Sequence, residues 1–128
     1  MIDKNLNIKL IDFGAAIQIK GGRVYDRFVG TIPYIAPEVL NGQVYSSLTQ
    51  DIYSLGVLLH LLIYGKLPAV NLEGEDNSDI NLHHCTIKGN YCSEDVRYLI
   101  KWMLQKSPSS RPTLDEIYNH DWVKGKAK

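Results

Sequence analysis

Carboxylates are the side chains of this 128-residue chain best placed to do chemistry. Asp12 stands in Asp12-Phe13-Gly14, directly after the apolar stretch Ile8 to Ile11. A lone carboxylate at such a strand end suits a hard cation that keeps oxygen ligands. Glu73, Glu75, Asp76 and Asp79 form a second acidic group, downstream of a Gly65-Lys66-Leu67-Pro68 turn. Four clustered carboxylates can hold guanidinium groups by charge-assisted hydrogen bonds, or can simply be a solvated loop. Between Gly14 and Gly30 no serine or threonine occurs, and Tyr25 carries the sole side-chain hydroxyl. His83-His84-Cys85 followed by Cys92 gathers metal-ligating types, but the spacing fits no zinc pattern. The terminal Lys124-Gly125-Lys126-Ala127-Lys128 is a short basic tail, read as solvated.

These residues need elements to position them. Asn5-Leu6-Asn7 is a turn candidate because asparagine tolerates left-handed backbone, and Ile8 to Ile11 suits a short strand. Met1-Ile2 would be the stub of the hairpin partner. Ala15 to Val29 contains Gly21-Gly22 and no sustained periodicity, so a loop is expected. From Asp51 to Tyr64 the chain is apolar on nearly every side, which predicts a helix in the middle of a core, ended by Gly65 and Pro68. Ser93 is placed to cap a helix whose apolar stripe is Val96, Leu99, Ile100, Met103 and Leu104. Thr113-Leu114-Asp115-Glu116 has the capping-box pattern for a last helix, with Trp122 and Val123 as apolar anchors beyond it.

Asp12-Phe13-Gly14 followed by Gly30-Thr31-Ile32-Pro33-Tyr34-Ile35-Ala36-Pro37-Glu38 resembles the two ends of a protein-kinase activation segment, the D-F-G and A-P-E signatures. Asp51-Ile52-Tyr53-Ser54-Leu55-Gly56-Val57 resembles the family's D-x-W-S-x-G-V, with Tyr53 in place of tryptophan. Arg111-Pro112-Thr113 resembles the arginine near the end of the kinase fold. Four motifs in order cover almost the whole chain, most weakly from Ala69 to Asn90. The glycine-rich phosphate loop, the V-A-I-K-like lysine and the H-R-D catalytic loop are missing from the sequence.

The resemblance implies a fold class that is mainly α: the C-terminal, large lobe of the kinase fold. It would start at a short β-hairpin before D-F-G, with the N-lobe and catalytic loop absent. It implies a partial kinase domain over 1–123, with activation segment 12–38, central helix 51–64, C-terminal helices 93–123 and tail 124–128. It also implies roles. Asp12 would be the nucleotide-side magnesium ligand, Phe13 the aromatic that reports active or inactive geometry, and Gly14 the point where the backbone turns. The usual second ligand, an asparagine, would fall about two residues before Met1. Thr31 would belong to the substrate-docking loop, and its usual partners, the catalytic aspartate and lysine, are missing. Glu38 and Arg111 would form the buried ion pair anchoring the segment. Asp51 would accept backbone N–H groups of the catalytic loop. Tyr25 would be the candidate phosphosite, with Asp26 a standing negative charge beside it. Glu73, Glu75, Asp76 and Asp79 would contact arginines of a substrate.

No basic residue with tryptophan precedes Ala36-Pro37-Glu38, which resembles the serine/threonine branch, and His120-Asp121-Trp122 is similar to the ending of calmodulin-dependent-kinase-like members. The activation loop resembles PAS-kinase-like and PIM-like loops. ATP and magnesium would be the cofactors of a complete domain and a protein its substrate. The fragment is expected to bind neither cofactor and to be inactive alone. The missing N-lobe, or a partner protein in a truncated pseudokinase, would cover the exposed lobe face.

Composition narrows the rest. Formal net charge is zero, so no bulk electrostatic attraction to nucleic acid or to an anionic membrane is expected. The apolar run Leu55 to Tyr64 is interrupted by His60 and is too short to span a bilayer. Two cysteines read as thiols, with no signal peptide, predict an intracellular location, cytoplasmic or nuclear.

Overall fold

The computed structural model describes residues 1–18, 30–68, 86–87 and 90–126. Among these, helix dominates. The helices are α1 (Pro37–Leu40), α2 (Ser47–Tyr64), α3 (Glu94–Met103) and α4 (Leu114–Asn119). Three-residue 3-10 turns occur at Phe13–Ala15, Ile32–Tyr34 and Pro108–Ser110. Strands β1 (Thr86–Ile87) and β2 (Asn90–Tyr91) pair antiparallel, Thr86 opposite Tyr91.

The expected N-terminal hairpin is short: Ile2 bridges Ile8, and Met1 and Lys9 exchange backbone hydrogen bonds of 2.8 Å each way. The reason is local. The Asp3 carboxylate accepts from the backbone N–H groups of Asn5 and Asn7, at 2.8 and 2.9 Å, and closes a tight turn. That leaves Leu6, rather than either asparagine, in the left-handed region at φ 65°. The pairing ends at Lys9, and beyond it Leu10 stays exposed.

Helix α2 starts four residues before the sequence pattern suggests, at Ser47 rather than Asp51. The first turn, Ser47-Leu48-Thr49-Gln50, is mostly polar and carries no core signal, yet its backbone is helical. The helix stops at Gly65, which takes φ 68° and donates its N–H to the Leu61 carbonyl, the left-handed C-cap that glycine adopts without a Cβ penalty.

Helix α3 begins at Ser93, whose Oγ accepts from Val96 N–H, and buries Val96, Leu99, Ile100 and Met103 along one stripe. Helix α4 opens with the Thr113–Glu116 capping box, both reciprocal bonds present. The core lies where α2 crosses α3. One cluster joins Ile35, Ala36, Val39, Tyr53, Val57, Val96, Ile100 and Leu104; a second joins Ile52, Leu99 and Met103. The close approach occurs at Gly56, where a Cβ would sit 2.8 Å from Met103 Cβ.

Helix α2 is not enclosed on every side. Leu55 and Leu58 are partly open and Leu62 is 70 % exposed. With Leu59, Leu99, Met103, Ile117, Trp122 and Val123 they line a groove of about 180 Å³ that has no polar lining. No helix among the described residues is long and apolar enough to cross a membrane. Cys92 is disulfide-bonded, so the reading of two free thiols, and the reducing compartment drawn from it, do not hold at that position.

Candidate functional site

The site is built from two stretches of chain, the second of which lies against the first half of α2. The first is Asp12-Phe13-Gly14. Asp12 takes φ 60°, and its carboxylate accepts from Gly14 N–H at 3.3 Å, opening the 3-10 turn Phe13–Ala15. The left-handed residue is therefore Asp12 and not Gly14, the position expected to turn. Aspartate tolerates this region because its short side chain bonds the following backbone. Phe13 is 69 % exposed and packs against no core.

The second stretch is Gly30 to Glu38. Gly30 takes φ 132°, a conformation that L side chains rarely adopt, and a Cβ there would meet Ile35 Cγ1 at 3.3 Å. Thr31 is exposed and extended, and its carbonyl accepts from Tyr34 N–H at 2.8 Å to start the turn Ile32–Tyr34. Ile35 and Ala36 are then extended and buried. Pro37 opens α1, where its fixed φ suits a first helical residue and its missing N–H costs nothing.

Glu38, in the first turn of α1, meets Arg111. The guanidinium donates from Nη1 to Oε1 and from Nη2 to Oε2, both at 2.7 Å. The two side chains are 3 % and 0 % exposed. Arg111 also donates to the carbonyls of Thr49, Gln105 and Lys106. All of the guanidinium N–H groups are thereby used. Its Cζ lies 4.9 Å from the Tyr53 ring centroid. Burial pushes the Tyr53 hydroxyl up to about 12, so it stays neutral.

Between the two stretches and α2 lies a pocket of about 290 Å³, walled by Ala15 to Ile17, Gly30, Thr31, Tyr34, Gln50, Asp51 and Ser54 among others. Asp51 stands on its rim, and desolvation raises its carboxyl above the ordinary aspartate value. The structure thus brings Thr31 and Asp51 to one pocket, with the Asp12-Phe13-Gly14 turn leading into its wall. Glu38 and Arg111 sit behind it.

Residues 1–123 match the family described as Protein kinase domain. The chain belongs to the protein kinase family. It is 44% identical over 128 residues to Serine/threonine-protein kinase PSK2 of Saccharomyces cerevisiae, covering 97% of this chain and 11% of that protein. Serine/threonine-protein kinase PSK1 of the same yeast is 37% identical over 96% of this chain and 9% of its own length. Human NUAK family SNF1-like kinase 1 is also 37% identical, over 96% of this chain and 18% of its own length. The chain therefore spans about a tenth of the length of the first two relatives. These relatives place it with serine/threonine kinases of the calmodulin-dependent-kinase-like group.

For a kinase chain, the donor set around Asp12 is sparse. Among the described residues no three His, Cys, Asp or Glu side chains gather closely enough to hold a metal ion. Asp12 offers a single carboxylate, and magnesium usually takes one or two carboxylates with waters and phosphate oxygens completing its octahedron. Tyr25 and Asp26, the acids Glu73, Glu75, Asp76 and Asp79, and His83, His84 and Cys85 lie outside the described residues.

Two groups of this kinase chain escaped the sequence reading. Gln50 and Ser54 bond the backbone of Tyr34 and Ala36. His60 is 3 % exposed, stacks on Tyr64 and bonds the Lys66 carbonyl at 2.8 Å through Nδ1. Bonds to backbone carry no motif, because every residue has the same N–H and C=O. Only the polar residue at an inward helix position gives a signal, and Gln50 sits just ahead of the motif that begins at Asp51.

Proposed function

We propose that these residues are the greater part of the C-terminal lobe of a serine/threonine protein kinase, with a partial domain over 1–123 and a basic tail at 124–128. The parent reaction is phosphoryl transfer from ATP to a serine or threonine hydroxyl of a protein. The observation that carries this reading is the seating of Gly30 to Glu38 on α2, held at one end by the Glu38–Arg111 ion pair. A docking segment fixed in this way can present Thr31 and the pocket edge to a substrate peptide. Asp12 is then the nucleotide-side carboxylate, Tyr25 a candidate phosphosite, and Glu73, Glu75, Asp76 and Asp79 candidate contacts for substrate arginines. An intracellular location, cytoplasmic or nuclear, follows from the need for ATP.

We also propose that these residues alone do not catalyse the transfer. Phosphoryl transfer depends on positioning the phosphates and neutralising their charge. This chain supplies one carboxylate on the phosphate side and neither a phosphate-binding lysine nor a catalytic base. Purified chain with magnesium, ATP and a basic serine peptide is expected to transfer no phosphate. Transfer that disappears in Asp12→Ala would overturn that.

A second reading rests on the apolar groove beside Leu55, Leu58 and Leu62. Exposed apolar faces mark interfaces or aggregation liabilities. A truncated pseudokinase that binds protein partners would carry such a face. A monomeric chain with a cooperative melt favours this module; aggregation with binding of a hydrophobic dye favours an incomplete piece of a larger domain.

A further inference from the structure

We infer that Gln50 is a positioning residue for substrate docking, acting as a backbone clamp on the Tyr34–Ala36 stretch. The inference rests on the reading of Gly30 to Glu38 as the docking segment. It goes beyond that reading because Gln50 belongs to none of the motifs that support it.

Gln50 lies in the first turn of α2 and reaches across to the docking segment. Its Oε1 accepts from Ala36 N–H at 2.8 Å. Its Nε2 donates to the Tyr34 carbonyl at 3.2 Å and to Ser54 Oγ at 2.9 Å. Ser54 Oγ reaches the same Tyr34 carbonyl at 2.8 Å. Only one orientation of the amide satisfies these partners, because the N–H of Ala36 needs an acceptor and the carbonyl of Tyr34 needs a donor.

The need for such a clamp follows from the backbone. Ile35 and Ala36 are extended, with ψ 132° and 151°, between a 3-10 turn and α1. They are also buried. The flanking turns serve part of this stretch, since Ile35 N–H bonds the Ile32 carbonyl and the Ala36 carbonyl accepts from Val39 and Leu40. The buried Ala36 N–H instead bonds Gln50, and leaving it unmet would cost free energy. Gln50 bonds one group of each kind, two residues apart, as an adjacent strand would. The wall of the pocket between Thr31 and Asp51 is thereby fixed to α2 by hydrogen bonds as well as by the packing of Ile35 and Ala36. A peptide bound along Gly30 to Tyr34 would meet a rigid edge.

The experiment uses the full chain, isotope-labelled, followed by backbone NMR. In the native chain the Gln50 side-chain amide is expected to show a close proton contact to Ala36 N–H; its absence would overturn the clamp even if no variant folds. Gln50→Leu is expected to speed exchange of the Ala36 amide about tenfold or more beyond any change at the amides of Val57 and Ile100, with a modest fall in the melting midpoint from the unmet buried N–H. Gln50→Glu keeps the acceptor, so Ala36 protection is expected to return while the Tyr34 carbonyl shift moves. Uniformly faster exchange in Gln50→Leu, or none at Ala36, would overturn the inference. Titration with a basic serine peptide separates the underlying reading. Shifts confined to Gly30 through Ala36 that weaken about tenfold in Gln50→Leu support the docking role. Unchanged peptide affinity in that variant overturns it, and no shifts in the native chain overturn the docking reading itself while the Ala36 result still stands for the clamp.

Discussion

Arg111 and Glu38 are 73 residues apart in sequence and share two hydrogen bonds of 2.7 Å in a site almost closed to water. The pair fastens the end of the Gly30 to Glu38 stretch to the turn that follows α3. The guanidinium also ties down the first turn of α2 through the Thr49 carbonyl. One side chain thus joins three elements of the fold. A planar fork suits this better than an ammonium, since it meets both carboxylate oxygens and three carbonyls at once.

Removing one partner leaves the other charge buried, so Arg111→Met is expected to destabilise the chain by about 3–5 kcal/mol. That is a large share of the roughly 5–15 kcal/mol of a typical domain. Glu38→Gln keeps the shape but leaves the guanidinium unneutralised, and should cost a similar amount. Urea midpoints of both single variants and of the double variant check the coupling. The double variant should cost clearly less than the two singles combined; additivity within about 0.5 kcal/mol would mean that the pair is not coupled.

Gly56 is where α2 and α3 come closest, and a Cβ there would lie 2.8 Å from Met103 Cβ and 3.0 Å from Leu104 Cδ2. Two effects compete in Gly56→Ala. Helix propensity favours alanine by about 1 kcal/mol. Overpacking costs about 1–3 kcal/mol. The clash is with a Cβ fixed to the α3 backbone, not with the far end of a flexible chain, so the helices must separate and overpacking wins. Chemical denaturation should show Gly56→Ala less stable than the native chain; a gain in stability would mean that α3 shifts freely.

His60 gives the chain an acid limit. Burial first, and the nearby Lys66 charge further, lower its pKa below the ordinary 6.5, against the opposing bond to the Lys66 carbonyl. The folded state therefore prefers the neutral ring. The unfolded chain binds the proton more readily, so stability is complete above about pH 6.5 and falls as pH drops through the unfolded value toward the folded one. Thermal midpoints between pH 7 and pH 5 should decline, and His60→Gln should flatten the decline. An equal slope in that variant would assign the effect to other groups. Asp3 and Glu116 act in a separate, lower window. Their carboxyls are held below the ordinary values by backbone hydrogen bonds from Asn7 and Thr113.

What the sequence made legible and what it hid divide along a physical line. Side-chain patterns were legible: the stripe of Val96, Leu99, Ile100 and Met103 reads as a helix face, and the Thr113–Glu116 spacing reads as a capping box. Features set by backbone were not. The first turn of α2 is mostly polar and carries no periodicity, so the pattern that predicts the helix begins only at Asp51. The Asp3 carboxylate, not an asparagine, decides which residue turns left-handed. Gln50 is silent because its partners are an N–H and a C=O. The all-round apolar pattern of α2 correctly signalled contact on many sides, but a sequence cannot say which side stays open, and here it is the side of Leu55, Leu58 and Leu62.

Asp51 is the residue whose replacement should improve the chain while harming its proposed use. Desolvation raises its carboxyl above the usual 3.8. The folded state then binds a proton more readily than the unfolded one, so its contribution grows more unfavourable as pH rises from 3.8 through the folded value. At neutral pH the ionised carboxylate is a net burden on folding. Asp51→Asn removes the charge at constant shape and should raise the melting midpoint at pH 7, with the gain shrinking toward pH 4. A loss of stability at pH 7 would mean that the carboxylate accepts hydrogen bonds strong enough to outweigh its desolvation. If the catalytic loop of a complete kinase donates backbone N–H groups to this carboxylate, the same substitution in that setting should reverse sign, because an asparagine oxygen is a weaker acceptor than a carboxylate. The residue would then be tuned for a partner that the isolated chain does not supply.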